Sequence, residues 1–544
     1  MEATRSIDGI SSDVTELVTF EGCTELRRAV PLARILRSRG RVFADSSGSA
    51  ATYSLSEPVL RIGVFLSHNW AVSRMLKFIA LSYHFSFGLA SILVLPFALL
   101  LGVATALGLL PVVDDPVGYP VGISCRMLCP LCFLVLMLFG RNILAWFGYE
   151  GPSVFLDKVC IHQEDMALKE QGIKKLGAFL AASDSMLVLY SDIYLVKLWT
   201  VYELASFLSQ REISEMTVVP VRHALVFCVV LICLTITQVL QILANRFLGN
   251  TELALPVVAL IMGSVVTFLV RQWHRERAAI DVRLTNFRLQ DCSCFCESDR
   301  PLVYSNIANL MRSCGAVPNS VVQDQALDAF NDLVRRTMPQ AFRTFLGRVP
   351  FQFKHYLAFS AVRNVTLMMD NWAQLAHGRD PRAVLADSVA QLFQTLTVWC
   401  FMSAAITTLP AFHLQLTGWR SVAWCNACLI ALLVPGVLVI ILCEEGAVRA
   451  EGSDLVLAVF VAADICALII IIICLRGRTS KPTPDPIPAS ANTGAVDNMA
   501  GAFQAQVVQE AANSACQEMV VGRAMFFNDG SQGIWADGSE LECN

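Results

Sequence analysis

Charge is scarce in this sequence. Asp, Glu, Lys and Arg together make up 16% of 544 residues, against 55% hydrophobic residues. Soluble globular domains carry roughly 25% charged residues, so the chain as a whole is not an ordinary soluble enzyme. The formal net charge of -4 offers no basic field for a nucleic-acid backbone, and no nucleic-acid partner is expected. A secreted disulfide framework is also missing. There are 19 cysteines, but Cys125, Cys129, Cys132, Cys228, Cys233, Cys400, Cys425, Cys428, Cys443, Cys466 and Cys474 lie in or beside apolar runs, where cysteine behaves as a small hydrophobe. Residues 1–21 open polar and acidic, without the pattern of a cleavable signal peptide. Metal-ligand spacing is thin. Cys160 with His162, and the run Cys292, Cys294, Cys296, place ligands two residues apart, whereas zinc wants four ligands in pairs two to four residues apart. No metal site is expected.

What the sequence has instead is long apolar runs. A helix needs about 20 apolar residues to cross a hydrocarbon core roughly 30 Å thick. Runs of that kind occupy 79–110, 121–147, 223–242, 253–270, 389–412, 422–442 and 455–475. Ionisable residues within or beside them are few, among them His84, Arg126, Arg141, His413 and Asp464. Arg126 and Arg141 lie near the ends of their run, where a long side chain can snorkel to a headgroup. Asp464 lies deep in an apolar helix and is a candidate functional group. The expectation is a multi-pass membrane protein whose direct partner is the lipid bilayer. Arg271, Arg275, Arg277 and Arg283 follow the fourth run and place its end in the cytosol by charge bias. The same rule puts Arg476, Arg478 and Lys481 inside and favours an even number of crossings, about six.

Between the runs lie polar segments with short apolar strands. Arg61 to Leu66 and Val154 to Leu156 read as buried strands, Met186 to Tyr190 as a third and Thr217 to Val221 as a fourth. Helical patterns over 166–181 and 198–209 separate the later strands, which argues a small parallel sheet with helical crossovers. The first two strands are separated by two membrane spans, so their pairing would seat the sheet directly against the membrane. Leu26 to Leu36 reads as a short helix and Ser46 to Ser56 as a linker. The resulting plan is an N-terminal region 1–60, a first strand segment 61–74, a membrane hairpin 75–147, the rest of the sheet domain 148–221, and a second hairpin 222–270. A cytosolic helical region 271–386, two to three further spans within 387–478 and a disordered tail 479–544 complete it.

Three segments, VFLSHNW (64–70), FLDKVCIHQ (155–163) and SDSMLVLYSDIYLVKLWTVYEL (183–204), resemble the three signature boxes of Toll/interleukin-1 receptor (TIR) domains. The chain departs from that family in having two spans between the first two boxes and Thr200 where many members have Cys. The remaining membrane architecture resembles multi-span proteins of unicellular algae and protists. The resemblance implies a fold class: a multi-pass α-helical membrane protein with a small cytosolic α/β, flavodoxin-like, parallel-sheet domain. It also implies self-association into a homo-oligomer through that domain, and hence signalling or scaffolding. An alternative it implies is NAD glycohydrolysis, with NAD as substrate, Glu203 engaging the ribose and Trp199 one helical turn earlier. A fixed carboxylate suits that reaction because an oxocarbenium-like centre develops positive charge. Ser67, His68, Asp157 and Lys158 end the first two strands, at the sheet edge where ligands bind, and are the candidate cofactor-binding residues. A channel or transporter gated by the soluble domain is the third reading.

Overall fold

The structure is a computed structural model. It describes residues 18–399, except 115–118, 248–253, 314, 347–350 and 352, together with scattered positions from 405 to 466. Asp464, His413, the tail 479–544 and most of the apolar runs beyond residue 400 lie outside the described residues.

Eight strands are described: β1 (Arg28–Pro31), β2 (Glu57–Pro58), β3 (Val64–Ser67), β4 (Val112–Asp114), β5 (Pro120–Gly122), β6 (Ser153–Phe155), β7 (Met186–Tyr190) and β8 (Met216–Pro220). The main helices are α1 (Arg74–Ala106), α2 (Ser124–Trp146), α3 (Met166–Lys174), α4 (Leu176–Ala181), α5 (Leu198–Gln210), α6 (Val221–Phe247), α7 (Ala254–Thr285), α8 (Arg300–Ser313), α9 (Gln323–Leu346), α10 (Phe353–Asn371) and α11 (Pro381–Phe393).

Helices over Arg74–Ala106, Ser124–Trp146 and Val221–Ala244 are long and apolar enough to cross a bilayer. Ile92, Leu95 and Leu100 on α1 are exposed, as side chains that face lipid should be. The chain is a multi-pass membrane protein with an attached mixed α/β domain.

The sheet of that domain has the order β2-β1-β6-β3-β7-β8. Strands β6, β3, β7 and β8 run parallel, with Val64 opposite Val154, Leu66 opposite Leu187 and Val188 opposite Val218. The pairing of β3 with β6 closes the sheet across the α1–α2 hairpin. Close approach helps it: the Gly63 amide donates to Ser153 Oγ at 2.9 Å, and a Cβ on Gly63 would lie 3.1 Å from the Ser153 carbonyl oxygen. Each central strand is buried on both faces, so its sequence reads as a continuous apolar run. Asp165 starts α3 by accepting from the amides of Ala167 and Leu168 at 2.9 and 3.1 Å.

Several expectations change. Residues 28–31 form a strand antiparallel to β6, and the helix starts only at Leu32. The linker around 46–56 contains a helical turn, Ala50–Tyr53. The helix expected over 166–181 is broken at Lys175, where ψ is 12°. Both arginines of the second apolar run have partners inside the protein. Arg141 donates to the Phe85 carbonyl on α1 at 2.6 Å, and Arg126 is buried against Asp370 at 3.1 Å. An internal partner wins because an arginine facing hydrocarbon would need one anyway.

Helix α10 lies against α1, α2 and α6. His355 near its start meets Tyr83 of α1, and Trp372 just past its end meets Gly102, where an added Cβ would sit 3.2 Å from the indole. At 1.5 Å per residue those contacts are about 26 Å apart along the axis, close to the thickness of the hydrocarbon core. Asp370, fully buried, accepts from the Cys125 and Arg126 amides at 2.9 and 3.0 Å and so caps the start of α2.

Asp370→Leu should therefore destabilise the protein by about 3–5 kcal/mol, since it strands a buried guanidinium. Arg126→Met combined with Asp370→Leu should recover most of that loss, leaving about 1 kcal/mol for the missing cap. Thermal unfolding in detergent measures both. Equal loss in the single and double variants would show that the ion pair is not what matters.

Candidate functional site

The carboxyl ends of β3, β6 and β7 bring two side-chain groups together. The first is built on Ser67, the last residue of β3, which is wholly buried. Its hydroxyl donates to Glu203 Oε2 at 2.5 Å and accepts from Tyr194 Oη at 2.6 Å. Tyr194 comes from the loop after β7, and Glu203 from the second turn of α5. Thr200 keeps that loop against α5: its hydroxyl lies 2.9 Å from the Lys197 carbonyl oxygen. The three groups form a relay, Tyr194 to Ser67 to Glu203. Burial pushes the Glu203 carboxyl up to about 8, partly opposed by the Ser67 bond. Burial also raises the Tyr194 phenol well above its ordinary range. At neutral pH the Glu203 carboxyl is therefore largely protonated, a neutral member of a hydrogen-bonded chain.

The second group is aromatic and cationic. His68 lies edge-on to Trp70 at 4.5 Å and to Phe43 at 5.5 Å. Burial lowers the imidazole to about 4, against the pull of the Asp157 carboxylate, so it is neutral. Asp157 accepts from the Trp70 indole at 2.9 Å and from the Lys158 amide at 2.7 Å. The Lys158 ammonium reaches the Val42 and Asp45 carbonyls at 3.3 and 3.0 Å and the Asp45 carboxylate at 2.9 Å. Those three acceptors match its three protons, so in this arrangement Lys158 secures the N-terminal segment. Lys77, at the foot of α1, sits over the Trp70 ring at 4.8 Å and the Phe43 ring at 5.4 Å.

The structure brings Ser67 and Glu203 into contact, and gathers His68, Asp157 and Lys158 around Trp70. It sends Trp199 elsewhere. The Trp199 indole donates to Asp299 Oδ2 at 3.3 Å, and its ring packs edge-on to Tyr202. The loop 291–299 meets it there, where the Ser293 amide bonds to the Val196 carbonyl at 2.8 Å. Cys292 of that loop is buried and Cys296 exposed, and no cluster of three His, Cys, Asp or Glu ligands forms among the described residues. Sequence reasoning missed Tyr194, Lys77 and Asp45. Tyr194 had a signal, its place within the segment 183–204 that resembles the third signature box. Asp45 had none, since it is tied to Lys158 only through the fold.

Comparison of the chain with family models, with curated proteins and with solved structures returns no match.

The Glu203 carboxyl gives a pH signature with a definite sign. Its folded value of about 8 lies above the ordinary 4.5, so the folded state holds the proton more tightly. The stability it confers is complete below about 4.5 and is lost as the pH rises through 8. Glu203→Gln, a neutral analogue, should remove this component and leave the variant more stable than the parent at pH 8, by about 2 kcal/mol after allowing for partial exposure. Thermal unfolding from pH 5 to 8.5 reads it, and parallel profiles for the two proteins would show that Glu203 ionises normally.

Proposed function

We propose that this chain is a membrane signalling or scaffold protein in which a TIR-like cytosolic domain is coupled mechanically to a helical bundle. One observation carries the reading: β3 and β6 are hydrogen-bonded neighbours although the whole α1–α2 hairpin lies between them in the chain. Relative movement of those two helices must then be absorbed at the centre of the sheet. Numbered along the chain, the four parallel strands run second, first, third, fourth across the sheet, which accords with a doubly wound, flavodoxin-like arrangement.

In the family that the sequence resembles, the loop after the second strand is used in self-association. Here that loop is held by the N-terminal segment. The His162 ring lies 4.8 Å from Tyr53, and Glu164 accepts from the Ala50 amide at 3.0 Å. On this reading the segment restrains assembly. Tyr53→Ala with Glu164→Gln should free the loop and lower the dimer dissociation constant several-fold, as read by light scattering of protein in nanodiscs or detergent over a concentration series. A strictly monomeric protein, parent and variant alike at every concentration, would overturn the proposal.

A second reading is favoured by the Ser67–Glu203 contact, which places a carboxyl of raised pKa at the carboxyl edge of the sheet. It is NAD glycohydrolysis through Glu203, with NAD held near Ser67, His68 and Asp157. The same preparation incubated with NAD should then release nicotinamide, and Glu203→Ala should abolish the release. Release no greater than that of Glu203→Ala removes this reading and leaves the first intact.

A further inference from the structure

A cleft outside both groups described above lies where the sheet meets the membrane helices. It encloses about 130 Å³ at the carboxyl ends of β7 and β8, between the start of α6 and the polar half of α7. Its walls carry Arg222, Arg277 and Arg283, against Glu276 and Asp192. Arg222 is paired to Glu276, and Arg283 donates to the Asp192 carbonyl, which holds its guanidinium at the rim. Arg277 lies over Trp273, 5.9 Å from the ring centre. The cleft therefore presents more cationic than anionic charge.

Two of its lining groups are polar, buried and unsatisfied. Among the described residues the Tyr190 hydroxyl and the Ser191 hydroxyl have no hydrogen-bond partner, although the residues are only 4% and 8% exposed. Buried polar groups are normally paired, because leaving one unmade costs on the order of 1–3 kcal/mol. Two such donors beside arginines call for an anion with several acceptor oxygens. The cleft has room for a phosphate group.

Position identifies the source. The apolar span Val221–Ala244 begins at the cleft itself, with Val221 in its wall. On the other wall, Trp273 to Arg283 follow directly on the apolar run that ends at residue 270. The opening thus lies at the level where a bilayer presents its headgroups, and basic pockets between helices at that depth suit anionic lipid.

We propose that this cleft binds the phosphate of an anionic phospholipid headgroup bearing a phosphomonoester, as in a phosphatidylinositol phosphate. Tyr190 and Ser191 donate to the phosphate oxygens, and Arg277 and Arg283 neutralise it. The inference goes beyond the signalling reading and does not depend on it. It would set the lipid one ring contact from the Glu203 relay, since the Tyr190 ring stands 6.0 Å from that of Tyr194.

The test uses the full chain in phosphatidylcholine nanodiscs, with or without a phosphatidylinositol phosphate, and follows thermal unfolding as lipid is titrated. The expected result is a rise in Tm with the phosphoinositide. The apparent affinity should fall about tenfold in Arg277→Gln/Arg283→Gln and by a smaller factor in Tyr190→Phe, as befits lost charged and neutral hydrogen bonds. Arg336→Gln, outside the cleft wall and 83% exposed, controls for general attraction and should match the parent. Tyr190→Phe removes one oxygen, so it guards against a folding failure of the double variant. No rise in Tm, or an equal rise in all the cleft variants, would overturn the site. An equal rise in phosphatidylcholine alone with soluble inositol phosphate or inorganic phosphate would overturn the lipid as its source.

Discussion

The hydrogen bonds between β3 and β6 are the constraint from which the rest of the architecture follows. They join two strands whose chain connection leaves the sheet, passes through α1 and α2, and returns. Parallel neighbours normally need one crossover helix of a dozen or more residues; here the connection is a hairpin of membrane-spanning helices. The ladder ties the feet of α1 and α2 to neighbouring strands through segments of only six residues each, 68–73 and 147–152. A single hydrophobic core runs from Phe65 and Phe155 of the sheet through Phe78 and Phe133 to Phe227 and Phe359 in the bundle.

A core continuous through both environments sets strict terms for polar groups. Most of those buried here are answered by a specific partner. Asp370 takes Arg126 and the two amides at the start of α2, Arg141 takes a backbone carbonyl, and Lys158 takes three acceptors from the segment 42–45. Such pairs add little net stability compared with well-packed apolar groups, but losing one partner is expensive. They fix which helix faces which. The Tyr194–Ser67–Glu203 relay differs in being held neutral, and the Tyr190 and Ser191 hydroxyls are among the buried groups without a partner among the described residues. His68, Tyr190 and Ser191, each with a buried polar atom left unsatisfied, lie along the carboxyl edge of the sheet, where open α/β folds place their chemistry.

Much of this was legible in the chain. The four parallel strands were marked by short apolar runs closed by polar residues, and the three apolar helices over Arg74–Ala106, Ser124–Trp146 and Val221–Ala244 by length alone. Strands β1 and β2 were not, because RAVP and EP are too short to show a period and owe their form to β6 and to each other. The four-residue spacing of Trp199 and Glu203 put them on one helix, yet spacing cannot say what each meets. Glu203 turned to Ser67, while Trp199 was claimed by Asp299, which is 100 residues further along. The orphaned hydroxyls of the cleft carry no sequence signal, since a missing partner is a property of packing.

Helix α10 shows why hydropathy alone misjudges such a bundle. Its His355, Asn364 and Asp370 break up the apolar pattern, so the segment reads as part of a soluble block. All three are buried, and none faces outward. A helix wrapped by neighbours can hold polar residues that a lipid-facing helix cannot, and the bundle shields α10 with α1, α2 and α6. It also covers the same depth as the apolar helices, from the sheet side at His355 to the start of α2 at Asp370. Counted as a crossing, it changes the parity of the chain. Seven apolar runs strand Arg476, Arg478 and Lys481 on the side opposite the basic cluster at 271–283, whereas one more crossing returns them to it and leaves Glu444, Glu445 and Glu451 on the other face. That distribution is what the positive-inside bias favours, and on it we propose that α10 is a crossing.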